Sequence, residues 1–286
     1  MVECSGLRGE SMIHELNVPL DFHMDVRYDL MESQVEHTEG DSPMHIHDKL
    51  EIYIQLEGDA SFMVENNLYK LKPMDILITK PNEVHNPILN SDTRHRHACF
   101  WFDPSCDFLF SAFLAHGFGE GNLCTPRTAD AEKIREICSA LEKAAAQKDK
   151  KRELCLCFEL LYRVERNLGF ESQAEVLPTL LREILCDIQE NLCHIHTLGY
   201  FEGKYFVSTS TLHRLFYKYM RVSPKVYLES KRLAYSRILL EQGMSVGEAC
   251  ETAGFSDYSN YIRVFRTRFD MTPLRYRNLK RQGSEK

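Results

Sequence analysis

The sequence predicts an α+β chain: an N-terminal antiparallel β-barrel, or the sandwich closely related to it, then helices, then an all-α domain. Three observations carry this. Between Pro43 and Trp101 short runs of alternating apolar and polar residues (EIYIQLEG, ASFMVENN, LYKLKPMD, ILITKPNE, RHRHACFWF) follow one another, separated by turns at Asn66-Asn67 and Pro73. Beyond residue 130 the apolar residues take helical spacing. Near the C-terminus a segment repeats itself at an offset of 49 residues: Ser210, Arg214 and Phe216 fall on Ser259, Arg263 and Phe265, Ser223-Pro224 on Thr272-Pro273, and Tyr227 on Tyr276. Two copies of a helical unit with its exit turn are too few for a solenoid and suit a protein that grips a periodic target twice. Duplex DNA is such a target.

A length of 286 residues with 43% hydrophobic residues suffices for about two domains, each with its own core. The first residues lack a basic region followed by an apolar run, and Asp103, Pro104 and Asp107 interrupt the apolar stretch around Phe100 to Phe118. The expectation is a soluble cytoplasmic protein without signal peptide or membrane partner. Ten cysteines scattered without a CxxC pair fit a reducing compartment. The net charge of −7 divides unevenly: residues 1–177 carry −13 and residues 178–286 carry +6. The basic part is the part with the repeat, so nucleic acid remains a partner for it.

In that part Val176 to Leu192 reads as an amphipathic helix and a short helix starts near Thr197. Ser208 is a natural N-cap for Thr209 to Tyr219, where Leu212, Leu215 and Phe216 form the buried stripe. Lys225 to Leu240 reads as a connecting helix. The second unit opens at Ser245, turns at Gly254-Phe255, where glycine permits a tight turn, and continues from a cap at Ser256 or Asp257 through Arg268. Tyr258, Ser259, Ile262 and Arg263 form a face too polar for core, and Arg263, Arg266, Arg268, Arg275, Arg277, Lys280 and Arg281 give a phosphate-binding composition.

The stretch GFSDYSNYIRVFRTRFDMTPLRYR closely resembles the signature of the AraC/XylS family of bacterial transcription regulators, and the resemblance covers roughly residues 178–280. It implies two helix-turn-helix units held by one long helix, each placing a recognition helix in successive major grooves about 34 Å apart. It implies base contacts at Ser210, His213 and Arg214 in the first unit and at Tyr258, Ser259, Ile262 and Arg263 in the second. Departures from the pattern are Glu202 for a small alanine, Gly203 in the positioning helix, and Arg221 and Asp270 for the turn glycine of each unit. Arginines in this motif either touch DNA or brace helices.

In the N-terminal part His45, His47 and Glu51, with Gly58 beyond and Pro81 to His85 on a later strand, resemble the cupin motifs. An unbroken strand would point His45, His47 and Glu51 to one face, where His85 could join them. Two readings stand: a polar pocket for a small organic effector, and a three-histidine, one-glutamate site for Zn, Fe, Mn or Ni. The first is adopted, with the four residues as effector-binding and no cofactor. His95 and His97 either add to the wall or lie at an exposed edge; Trp101 packs in the core or stacks on a sugar ring. Cys155 and Cys157 face apart on a helix, and Cys193, His194 and His196 adjoin a helix end in a solvated loop. Ala131 to Gln147 and Glu153 to Leu168 read as two amphipathic helices before the polar linker 169–173, serving either homodimer contact or packing on the barrel.

The resulting expectation is a cupin-like effector domain over residues 1–125, a helical dimerisation segment over 126–175, and a double helix-turn-helix DNA-binding domain over 176–286. Its partners would be double-stranded DNA, a small-molecule effector such as a sugar, a second copy and RNA polymerase. Activation rather than repression follows from the resemblance. The rival is a metal-dependent cupin enzyme with His45, His47, Glu51 and His85 as ligands; the reading adopted is not an enzyme.

Overall fold

The computed structural model describes residues 26–33 by their backbone and residues 44–91, 94–102, 109–169, 174, 175 and 177–284. The N-terminal segment, Asp103, Pro104, Asp107 and most of the predicted linker lie outside the described residues. Strands β1 (Val26–Ser33), β7 (His95–Phe102), β2 (Leu50–Glu57), β5 (Ile76–Thr79) and β8 (Leu123–Cys124) form one antiparallel sheet in that spatial order. Strands β4 (Asn67–Leu71), β3 (Ala60–Val64) and β6 (His85–Leu89) form a second.

The expected closed barrel is corrected to two facing sheets, because no ladder joins them among the described residues. The chain instead crosses between sheets at residues 44–50. His45 exchanges two backbone hydrogen bonds with His85 on β6, at 2.7 and 3.1 Å, and the chain then turns and enters β2 at Leu50. The β3–β4 turn falls on Glu65-Asn66, one residue before the expected place, since Val64 pairs with Asn67. Glu65 takes the left-handed conformation there, at φ 52°.

Strand alternation then sets four layers. Leu50, Ile52, Ile54, Ile78 and Phe100 face outward from the larger sheet, beneath α2 (Thr128–Ala146) and α3 (Lys150–Arg166). A one-turn helix, α1 (Ser111–Leu114), contributes Phe113 to this layer. Tyr53, Leu77 and Cys99 face inward and meet Phe62, Val64 and Tyr69 of the smaller sheet. Met63, Leu68 and Ile88 on its far side join the core of the C-terminal helices.

Those helices are α4 (Thr179–Asn191), α5 (Gly199–Tyr205), α6 (Thr209–Met220), α7 (Pro224–Glu241), α8 (Val246–Thr252), α9 (Tyr258–Phe269) and α10 (Pro273–Ser284). Ser208 caps α6, Ser223 caps α7, and Ser245 with Glu248 closes a capping box on α8. Gly254 carries φ +83°, and an added Cβ would lie 3.0 Å from the Cys193 Cα, so glycine is required at this turn.

The buried α7 docks the helical part on the smaller sheet. Tyr227 Oη donates to the Glu65 carbonyl at 3.1 Å and to Asn66 Oδ1 at 2.9 Å, and the Lys231 ammonium pairs with the Glu65 carboxylate inside the interface. Asp48, in the crossing segment, meets Lys280 of α10 at 2.9 Å and Arg237 of α7 at 3.9 Å. Glu65→Ala leaves Lys231 buried without its partner and is expected to destabilise the chain by about 3–5 kcal/mol. Adding Lys231→Met should recover most of that loss in a double-mutant unfolding cycle; costs that simply add would show the two side chains uncoupled.

Candidate functional site

The two helices expected to read DNA, α6 and α9, turn the predicted residues away from the core. On α6, Ser210 and Arg214 are exposed and His213 is half-buried, while Leu212, Phe216 and Met220 hold the opposite face in the core. On α9, Tyr258, Ser259 and Arg263 are exposed and Ile262 is half-buried, with Tyr261, Val264 and Phe265 inside. Ser208 accepts from the Thr211 amide at 3.2 Å and Asp257 from the Asn260 amide at 3.0 Å, so each helix begins on a side-chain cap. Arg263 donates to Asn260 Oδ1 at 2.6 Å, a contact along its own helix that leaves its exposed face open.

The departures in the first unit acquire physical roles. Glu202 accepts from the Thr209 amide at 2.7 Å and from the Thr209 hydroxyl, which holds its carboxyl below the usual range; it supports the start of α6 at the solvated edge. Arg221 and Asp270 occupy equivalent left-handed positions at φ 55° and 51°, so the turn geometry survives without glycine. Sequence reasoning missed Phe206, which is left-handed at φ 54° and almost fully exposed before α6. It also missed Asp187, a buried carboxylate that accepts from Asn191 at 2.7 Å, Tyr200 at 3.1 Å and Lys204 at 2.8 Å and so fixes α5 against α4.

The cluster of cations divides. Arg268 donates to Ser230 Oγ at 3.3 Å and braces α7, and Lys280 is engaged by Asp48. Arg237 is buried, with its guanidinium 4.6 Å above the Phe269 ring and 5.0 Å from that of Tyr276. Arg266, Arg275 and Arg281 stay exposed, the state a phosphate contact needs.

The second site lies between the sheets. Register places Glu51 opposite Trp101 on β7 and Thr79 on β5. The Glu51 carboxylate is nearly fully buried and accepts from Trp101 Nε1 at 2.7 Å and from Cys99 Sγ at 3.4 Å. Trp101 is therefore a wall of this site rather than core alone. His47 Nε2 lies 2.7 Å and His85 Nε2 3.4 Å from Glu51 Oε2. Burial opposes ionisation of Glu51, yet His85 and His47 outweigh it and hold the carboxyl well below its ordinary value. Burial likewise opposes a charge on His85, and Glu51 reverses that, raising the imidazole above its ordinary value.

His45 does not complete this group. The strand starts only at Leu50, so shared parity does not operate across residues 45–49; Met44 and Ile46 turn into the core shared with the C-terminal helices and His45 keeps an exposed surface. Desolvation first, then the neighbouring His85, pulls its ring down to about 4. His95 and His97 do reach the interior: Tyr53 Oη and His95 Nε2 are 3.0 Å apart, and His97 stacks on Tyr53 at 4.9 Å. Cys193 donates to the Thr252 carbonyl at 2.7 Å, with His194 and His196 exposed. A cleft of about 330 Å³ opens between the sandwich and the helical part, lined by Glu65, Asn82, Lys231, Tyr235 and Ile238 among others, and none of the four predicted effector residues lines it.

Two capped helices with solvent-facing polar sides, joined by one long helix and set behind a two-sheet domain that buries a histidine–glutamate cluster, are the arrangement of a two-part DNA-binding regulator. Residues 203–279 match the family model described as a helix-turn-helix domain, and residues 34–161 match the AraC-like ligand binding domain. The chain belongs to the AraC family of helix-turn-helix transcription regulators. It is 23% identical over 247 residues to the HTH-type transcriptional regulator ExsA of Pseudomonas aeruginosa, covering 79% of this chain and 85% of that protein. It is 24% identical over 253 residues to the virulence regulon transcriptional activator VirF of Yersinia enterocolitica, covering 79% and 88%. Among solved structures it aligns with ToxT from Vibrio cholerae over 89% of this chain and 99% of that one, at 14% identity and a TM-score of 0.36. No helix among the described residues is long and apolar enough to cross a membrane.

Asp257→Ala removes the cap of α9 and is expected to cost about 1 kcal/mol, while Asp257→Asn retains most of it. Thermal unfolding of the two variants beside the wild type checks this; equal transitions in all three would mean that the cap is not formed.

Proposed function

We propose that this chain is an effector-controlled transcription activator whose α6 and α9 enter successive major grooves of its operator. The observation that carries the reading is the matched pair of helix faces, Ser210 and Arg214 exposed beside half-buried His213 on one and Tyr258, Ser259 and Arg263 exposed beside half-buried Ile262 on the other, in the basic part of the chain. Activation is supported by the likeness to VirF, which is named an activator. Residues 1–125 hold the effector through His47, Glu51 and His85, with His45 at the rim, and a sugar or organic acid suits such a polar interior. Residues 126–175 make the homodimer through α3, where Leu154 and Tyr162 are exposed apolar positions. Residues 176–286 bind DNA, and RNA polymerase is the partner that activation requires. The effector acts by shifting the population of arrangements in which both units reach their half-sites.

Selection of genomic fragments followed by footprinting tests the reading. Two protected major-groove segments one helical turn apart are expected. Arg214→Ala and Arg263→Ala should each weaken the selected site by about 1–3 kcal/mol, with little change on unrelated duplex. Equal binding to all sequences at moderate salt would overturn it, and loss confined to Arg263→Ala would leave α9 as the only reader.

A further inference from the structure

The two helix-turn-helix units are locked to each other as well as to α7. Gly254, at the turn of the second unit, comes against Cys193 in the loop before α5, and Cys193 Sγ donates to the Thr252 carbonyl at 2.7 Å. From α7, Arg232 Nη2 donates to the Ile195 carbonyl of the same loop. Residues 192–198 of the first unit are thereby held beside the entry of α9 in the second.

A pocket of about 220 Å³ remains at this junction, lined by Thr197, Lys225, Glu229, Arg232, Phe255 and Ser256 among others. Lys225, Glu229 and Arg232 stand at i, i+4 and i+7, so one face of α7 forms a wall. Lys225 is exposed, and its ammonium pairs with no carboxylate among the described residues. Arg232 carries five N–H donors, of which Nη2 serves Ile195 and Nε is buried without a partner. Burial weighs against the Arg232 charge more than Cys193 and Glu229 support it, so the guanidinium has room for an anion. The carboxylates at the pocket are committed: Asp257 caps α9 through the Asn260 amide at 3.0 Å, and the field of Glu229 is shared by Arg232 and Arg268. Thr197 and Ser256 are exposed hydroxyls, and the Phe255 ring, 6.0 Å from the Arg232 guanidinium, is an apolar wall beside the cations. Cations, hydroxyls and a ring together suit one sugar-phosphate unit.

The place of the pocket says which sugar-phosphate covers it. Readers in successive major grooves have the backbone of the intervening minor groove passing between them. A reader meets base edges with its N-terminal residues, and the pocket adjoins that end of α9, next to Tyr258 and Ser259. The other wall is the approach to α5, the first helix of its unit and therefore the one that crosses the backbone.

We propose that this pocket seats a phosphate of the DNA strand that passes between the two grooves, with Lys225 and Arg232 supplying charge and Thr197 and Ser256 hydrogen bonds. The proposal rests on the reading of α6 and α9 in successive grooves and adds to it a contact that reads no base. Because both units and α7 build the pocket, a seated phosphate fixes where the two readers stand along the duplex.

The test uses the full chain and its selected operator, in a series of duplexes that each carry one neutral methylphosphonate between the two protected segments. Lys225 is exposed in the first turn of α7, so Lys225→Gln should keep the wild-type circular dichroism. One position in the series is expected to weaken the wild type by about tenfold and to cost Lys225→Gln nothing further. Lys225→Gln should lose affinity on operator and unrelated duplex alike, with a salt dependence shallower by about 1 in log–log slope. Arg232→Lys keeps a charge and loses the planar fork; wild-type affinity in that variant would strike Arg232 from the seat. Two protected segments with no sensitive phosphate between them, or a sensitivity that Lys225→Gln retains in full, overturn the seat and leave the successive-groove reading standing. A single protected segment removes that reading and the seat with it. Saturable binding of inorganic phosphate to the DNA-free chain, lost in Lys225→Gln while no methylphosphonate has an effect, assigns the pocket to a free anion and overturns the DNA seat.

Discussion

The arrangement of this molecule turns on Glu65. Its amide donates to the Val84 carbonyl at 2.8 Å, its Oε1 accepts from the Val84 amide, its carbonyl accepts from Tyr227, and its Oε2 meets Lys231. One residue in a left-handed turn thereby joins β3 to the approach of β6 and both to α7. Burying a carboxylate and an ammonium costs several kcal/mol per ion before pairing, so the pair is weak evidence for added stability. What it gives is selectivity of docking: any displaced register of α7 would leave two buried charges apart, whereas an apolar contact would tolerate sliding.

That constraint reaches the DNA-binding units through the character of α7. Leu228, Lys231, Leu233, Ser236, Arg237 and Leu240 are buried around the helix rather than along one stripe, because it is packed by both units and by the smaller sheet together. A helix so enclosed cannot change its seat on the sandwich without carrying α6 and α9 with it. The crossing segment 44–49 adds a second hold at the other end of α7, where Arg237 is clasped between Phe269, Tyr276 and Asp48. Contact between the two-sheet domain and the helical units is direct, since the two holds are the interface itself.

The features legible in the sequence were those that depend on near neighbours. Ser208, Asp257 and the Gly254 turn are local chemistry, and the 49-residue repeat fixed the pairing of the two units. The strands were legible for the same reason, but their closure was not, because sheet edges are decided by pairing across the fold. Glu65, Lys231 and Asp48 were invisible for a sharper reason. Their partners lie 166 and 232 positions away, and an isolated acid or lysine in sequence reads as a solvated face. His45 shows the converse error: parity is a property of a strand, and residues 45–49 are not in one.

The charge asymmetry of the chain acquires a meaning from the same interface. Asp48 and Glu65 come from the acidic part, and Lys231, Arg237 and Lys280 from the basic part. Lys231 and Arg237 are buried, so their partners are internal and fixed. Lys280 is different. It sits at the rim, about one-third exposed, in the arginine-rich end of the molecule, and its 2.9 Å contact with Asp48 is one that a phosphate could replace. A phosphate that drew on this ammonium would be linked to its contact with Asp48, each weakening the other to the same degree. Reciprocity between the crossing segment and a bound polyanion would then follow from where Asp48 stands.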